Sequence, residues 1–178
     1  MSHFIQFLTY FRIISAPIIF ALITLFDLYG WALLLFFLAS ISDYLDGFLA
    51  RKYKLESMIG AILDPIADKI LIVFLILGLS IELSSIFVGL AGGLIVAREF
   101  WVAALREFNS KNGSAHLTKV TQLAKIKTSI QFVTFGSYLF GLFLENMFIL
   151  FLSNFFLLLA LIITIQTGFS YTISSFKK

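Results

Sequence analysis

Apolar residues in this chain neither alternate nor keep to one helical face; they run in long blocks separated by short polar breaks. The blocks cover residues 8–26, 31–50, 59–79, 86–105, 128–144 and 148–171. Each is close to the ~20 residues that a helix needs to cross a ~30 Å hydrocarbon core. The pattern predicts an all-α, polytopic membrane protein with six transmembrane helices. Residues 1–7 (MSHFIQF) are apolar on one face and predict a short interfacial lead-in to the first span. No repeat, low-complexity tract or linker divides the chain, so residues 1–178 read as a single membrane domain. No basic stretch or small-residue cleavage site precedes the first block, and no signal peptide is expected.

The polar breaks fall into two kinds. Residues 27–30, 80–85 and 145–147 hold no Lys or Arg, only Asp27, Glu82 and Glu145. Residues 51–58 and 106–127 and the C-terminus hold Lys52, Lys54, Lys111, Lys119, Lys125, Lys127, Lys177 and Lys178. Positive charge marks the cytoplasmic side, so both termini are expected there, and an odd number of spans would mix the two kinds of break. All 13 Lys and Arg and seven of the ten acids then lie toward the inner side, at +6, against −3 outside. Tyr29, Trp31 and Trp101, near span ends, read as interface anchors.

Composition removes the alternatives. Hydrophobic residues make up 60% and charged residues 13%, against a usual ~25% charged. So few charges cannot cover a soluble domain, and so many apolar residues exclude disorder. With no Cys there is no disulfide, thiol nucleophile or Cys-ligated zinc. His3 and His116 have no partner pattern and read as surface residues.

Ionisable groups at membrane depth are expensive, so each is a candidate functional residue. Asp43 and Asp46 end the second block and are spaced i,i+3; Asp64 and Asp68 in the third are spaced i,i+4. Each pair therefore projects from one face of its helix. Gly47, Ala50 and Gly60 are small neighbours that permit close approach, and Pro65 leaves the Ala61 carbonyl without its usual donor. Four facing carboxylates repel unless neutralised. Oxygen-only ligands suit Mg²⁺, Mn²⁺ or Ca²⁺, and four acids can hold two ions that clamp a phosphoryl group. Acids merely solvated at the surface, or paired with Arg51 and Lys69, would have no reason to share stripes with Gly and Ala.

Written out, the stretch is Asp43-x2-Asp46-Gly47-x2-Ala50-Arg51-x8-Gly60-x3-Asp64-x3-Asp68. It resembles the CDP-alcohol phosphatidyltransferase signature at every fixed position, and six spans are that family's layout too. The resemblance implies displacement of CMP from a CDP-linked lipid or alcohol by a second alcohol. It further implies Mg²⁺ or Mn²⁺, as two ions on Asp43, Asp46, Asp64 and Asp68, with Asp68 as the base for the acceptor hydroxyl. Gly47, Ala50, Arg51 and Gly60 would contact the cytidine diphosphate. A homodimer is implied by the resemblance alone.

The other basic residues bear on the acceptor. Arg98 and Arg106 are spaced i,i+8 on the fourth block, Lys125 and Lys127 open the fifth, and Arg12 lies in the first. Basic groups near a metal site are what an acceptor phosphate or lipid phosphate needs. Ala97-Arg98-Glu99-Phe100, Arg106-Glu107, Lys125-Ile126-Lys127-Thr128 and Leu8-Thr9-Tyr10-Phe11-Arg12 resemble the bacterial phosphatidylglycerophosphate-forming branch of the family. Phe4-Ile5-Gln6-Phe7 stands where that branch commonly has Asn-Pro-Asn, and Ala124 where it commonly has Gly. The resemblance implies CDP-diacylglycerol and sn-glycerol 3-phosphate as substrates, membrane lipids as surroundings and no nucleic-acid partner. It places the enzyme in a bacterial plasma membrane with its site facing the cytoplasm. The sixth block carries no candidate chemistry. Two rivals stand: a sibling with another acceptor (cardiolipin-forming or inositol-phosphate type), and an ion or proton transporter. A transporter would spread its acids near the midplane of several spans.

Overall fold

The computed structural model describes the backbone of residues 2–53, 58–114 and 122–176 and the side chains of 7–43, 45–46, 63–114 and 126–176. Among the described residues there are six helices and no strand. They are α1 (Ser2–Thr24), α2 (Tyr29–Tyr53), α3 (Met58–Glu82), α4 (Ile86–Lys111), α5 (Gln122–Phe143) and α6 (Met147–Phe176). Each corresponds to one of the six apolar blocks, with α1 and α5 ending two residues and one residue before their blocks do. Among the described residues three stretches are long and apolar enough to cross a membrane: Phe7–Thr24, Ile86–Lys111 and Met147–Phe176. Many large apolar side chains face outward, among them Ile14, Trp31, Leu90, Phe151 and Ile162, the exterior expected of a protein solvated by lipid.

One boundary differs from the sequence reading. Residues 2–7 are the first turns of α1, continuous with its apolar stretch, and not a separate interfacial helix. No Gly or Pro interrupts the chain before Pro17, so nothing breaks the helix at residue 7. At the other end of the bundle the turns are tight. Asp27, Ser84 and Glu145 each adopt positive φ (54°, 45° and 50°), closing α1, α3 and α5 in the left-handed conformation. Ser85 then caps α4 by accepting from the Val88 amide, and Asn146 caps α6 by accepting from the Phe148 and Ile149 amides.

The helices close into a ring. α1 packs on α2 and α3, α4 on α3 and α6, and α5 on α2 and α6, giving the cyclic order α1–α3–α4–α6–α5–α2. Its interior is filled by Ile19, Ile23, Phe36, Leu75, Leu79, Ile95, Tyr138, Leu139 and Leu157, all at most 3% exposed. Gly92 lets α4 approach α3: a Cβ there would lie 2.3 Å from Ile76 Cγ2, so this helix pair has no room for a side chain. Packing of this kind decides which polar faces meet at the end opposite those tight turns.

Candidate active site

α1, α2 and α3 bring their polar faces together at one point. Asp43 and Asp46 on α2 and Asp64 and Asp68 on α3 do face one another, as their spacing predicts, and a residue of α1 stands between them. Arg12 is fully buried. Its Nη1 donates to Asp43 Oδ1 at 2.6 Å and to Asp68 Oδ1 at 2.5 Å. Its Nη2 donates to Asp46 and, at 3.3 Å, to Asp64 Oδ1. Thr9, one turn before Arg12, donates from Oγ1 to Asp64 Oδ1 at 2.7 Å. A planar guanidinium with a fork of donors suits such an arrangement far better than a point charge does.

The four acids differ in exposure. Asp46 is 3% exposed, whereas Asp43, Asp64 and Asp68 have side chains 51%, 36% and 48% exposed. Asp43 and Asp68, with Arg12 and Ser40, form the polar mouth of a cavity of about 530 Å³. Its walls are Phe36, Ala39, Leu71, Ile72 and Leu75 on one side and Phe132, Val133 and Phe135 of α5 on the other. Phe36 and Phe132 stack at 5.0 Å between ring centroids. One cavity thus joins a charged rim to an apolar interior.

The donor chemistry suits a hard divalent cation: carboxylate oxygens, in a chain without Cys and, among the described residues, with no His beside them. Among the described residues no three acids form a ready-made ligand group for one ion. They are spread around the guanidinium, which is broader than an ion demanding ligands at ~2.1 Å.

A second cluster, on α4, α5 and α6, has the opposite charge. Arg98, Lys127 and Arg106 gather around Glu99 and Tyr171. Arg98 donates from Nη1 to Glu99 at 3.2 Å and from Nη2 to Thr167 Oγ1 at 2.7 Å, while its buried Nε has no partner. The buried ammonium of Lys127 donates to the same Glu99 oxygen. Arg98 and Arg106 both lie over the Tyr171 ring, at 5.8 and 5.5 Å, so their i,i+8 spacing does put them on one face. Gly168 lets Arg98 lie against α6, since a Cβ there would be 2.8 Å from Arg98 Cγ. Thr128 and Ser129, next to Lys127 on α5, line the cavity of the first cluster, so the two sites adjoin.

The predicted residues are therefore placed unequally. The four Asp meet, and Arg98, Arg106 and Lys127 meet. Arg12, expected to face a phosphate, lies instead on carboxylates. Gly47, Ala50, Arg51 and Gly60 belong to α2 and α3, but their surroundings, like the side chain of Lys125, lie outside the described residues. Four contributors had no predicted role: Thr9, Glu99, Thr167 and Tyr171. The i,i+3 spacing of Thr9 to Arg12 was a usable signal. Thr167 and Tyr171, i,i+4 on α6, were hidden in a block that reads only as apolar.

Comparison with protein families matches residues 3–166 to the CDP-alcohol phosphatidyltransferase family. A protein of Cereibacter sphaeroides is 41% identical over 145 residues, covering 79% of this chain and 64% of its own length. Proteins of Salmonella choleraesuis (strain SC-B67) and Escherichia coli (strain K12) are each 35% identical over 130 residues, covering 71% of this chain and 70% of theirs. All three bear the name CDP-diacylglycerol–glycerol-3-phosphate 3-phosphatidyltransferase. With a match over nearly its whole length and the signature aspartates gathered in one site, the chain belongs to the CDP-alcohol phosphatidyltransferase family.

Proposed function

We propose that this chain transfers the phosphatidyl group of CDP-diacylglycerol to sn-glycerol 3-phosphate, giving phosphatidylglycerophosphate and CMP. The observation that carries the reading is the juxtaposition of an acidic cluster at the mouth of an apolar cavity with a basic cluster on the adjoining helices. The first matches a lipid diphosphate and its hydrocarbon, the second an acceptor that carries its own phosphate. The names of the relatives support the same pair of substrates.

Mg²⁺ or Mn²⁺, two ions by the number of acids, would be held by Asp43, Asp46, Asp64 and Asp68 and would supply neutralisation of the diphosphate and of the departing CMP. Gly47, Ala50, Arg51 and Gly60 receive the cytidine diphosphate. Arg98, Arg106, Lys125 and Lys127 hold the acceptor phosphate, and the apolar wall from Phe36 to Phe135 takes an acyl chain. Asp68 orients the acceptor hydroxyl and receives its proton. The hydroxyl oxygen bonds to the phosphorus that bears diacylglycerol, the bond from that phosphorus to the CMP oxygen breaks, and CMP leaves with the electron pair. Attack is direct, with no covalent enzyme intermediate.

The accompanying topology is six spans in a bacterial plasma membrane, both termini and the site on the cytoplasmic side, where a soluble acceptor meets a membrane-borne donor. Residues 1–178 act as one domain, and by family resemblance as a homodimer. The test is CMP release from purified chain given CDP-diacylglycerol and a panel of alcohols. Turnover is expected with glycerol 3-phosphate. Turnover with another acceptor alone would transfer the reading to a sibling enzyme, and CMP release that survives Asp64→Asn and Asp68→Asn would return the acids to a transport role.

A further inference from the structure

Among the described residues Arg12 is the one cation bonded to the four carboxylates, and its bonding is saturated in a particular way. The four Nη hydrogens of a guanidinium meet four different aspartates, one each, while the buried Nε has no partner. The charges do not balance. One guanidinium against four carboxylates leaves −3 if all are ionised, in a place where the arginine itself is fully buried. Such a cluster is under-neutralised and will take up further positive charge. Yet Arg12 takes one oxygen of each carboxylate, and among the described residues no three acids are gathered closely enough to close on one ion while it remains.

We infer that Arg12 is a built-in counter-cation that competes with divalent metal for the aspartate cluster. In the metal-free protein it holds α1, α2 and α3 together; on metal binding it gives up the carboxylates. It lines the adjoining cavity, where a substrate phosphate would be its next anionic partner. The inference rests on the metal reading above and adds a cost to it: apparent metal affinity is reduced by the fraction of molecules in which the latch is closed.

Mn²⁺ alone is the probe, with the purified full chain. Wild type should bind it saturably by paramagnetic titration; no saturable binding would overturn the metal reading and this inference with it. Arg12→Lys keeps the charge but cannot fork to four acids, so it should bind Mn²⁺ roughly tenfold tighter for a latch closed in about nine molecules of ten. It should also melt lower than wild type in chelator and recover with Mn²⁺. If Arg12 acted only through its charge, Arg12→Lys would bind as wild type does, and equal or weaker binding overturns the latch. A measurement without any variant covers the case of misfolding. Arginine-selective labelling with phenylglyoxal, mapped by mass spectrometry, should leave Arg12 unmodified in chelator and modify it in saturating Mn²⁺. Protection of Arg12 under both conditions, with Mn²⁺ shown to be bound, overturns the inference.

Discussion

The two polar clusters are near inversions of each other. On α1, α2 and α3, four acids converge on one base, Arg12. On α4, α5 and α6, two bases, Arg98 and Lys127, converge on one acid, Glu99, and a third, Arg106, is held by the Tyr171 face. A structural ion pair inside a membrane bundle would be balanced, because an unpaired charge there is costly. Both clusters are unbalanced, in opposite directions, and both lie at one end of the ring. Each therefore has its own residual demand: cations for the first, an anion for the second. The division also separates the steps, since chemistry at the diphosphate depends on the acids while recognition of the acceptor depends on the bases.

Cutting the acidic side should have the largest effect. Asp64→Asn or Asp68→Asn is expected to lower CMP release roughly 10²–10³-fold with every acceptor tried, read as kcat at saturating substrates. Retained activity in either variant would break the assignment of chemistry to this cluster. Cutting the basic side should be selective. Arg98→Ala removes a nearly buried charged donor, and kcat/KM for glycerol 3-phosphate is expected to fall about 10- to 100-fold through KM, with KM for CDP-diacylglycerol unchanged. An equal loss toward both substrates would mean that the clusters are not separate functions.

Gly168→Val sharpens the comparison further, because it alters no polar group. The new Cβ would lie 2.8 Å from Arg98 Cγ and 3.0 Å from Nε, displacing the side chain. A few-fold rise in KM for glycerol 3-phosphate is expected, about 1 kcal/mol of lost binding. The smallest effect belongs to a charge pair outside both clusters. Lys111 and Glu107 are 74% and 67% exposed and bonded i,i+4, so Glu107→Ala should leave melting temperature and both KM values unchanged within error.

Much of this arrangement was legible from residue spacing. Two carboxylates three or four residues apart must share a helical face, because the helical period fixes their direction whatever surrounds them. Thus the pairs Asp43/Asp46 and Asp64/Asp68, and the alignment of Arg98 with Arg106, could be read without coordinates. The lead-in at residues 2–7 is continuous with α1 for a local reason: only a breaker would separate it from the span, and none is present. The carboxylate partners of Arg12 were not legible, for a non-local reason. Its partners lie 31 to 56 residues away, and in an all-apolar span nothing in the hydropathy says which helix will lie opposite.

What the sequence determined by itself is everything that follows from helical period and from the cost of polar groups in hydrocarbon: six helices, their polar faces, the one-sided distribution of the charges along the chain and the family signature. The tertiary structure decided the pairing of those faces. The cyclic order α1–α3–α4–α6–α5–α2 puts the arginine of the first helix inside the acids of the next two, and sets Thr167 and Tyr171 of the last against Arg98. Without a hydrophobic driving force between helices in lipid, that order is chosen by close contacts such as Gly92 on Ile76 and Gly168 on Arg98. Such contacts exist only once the helices have met.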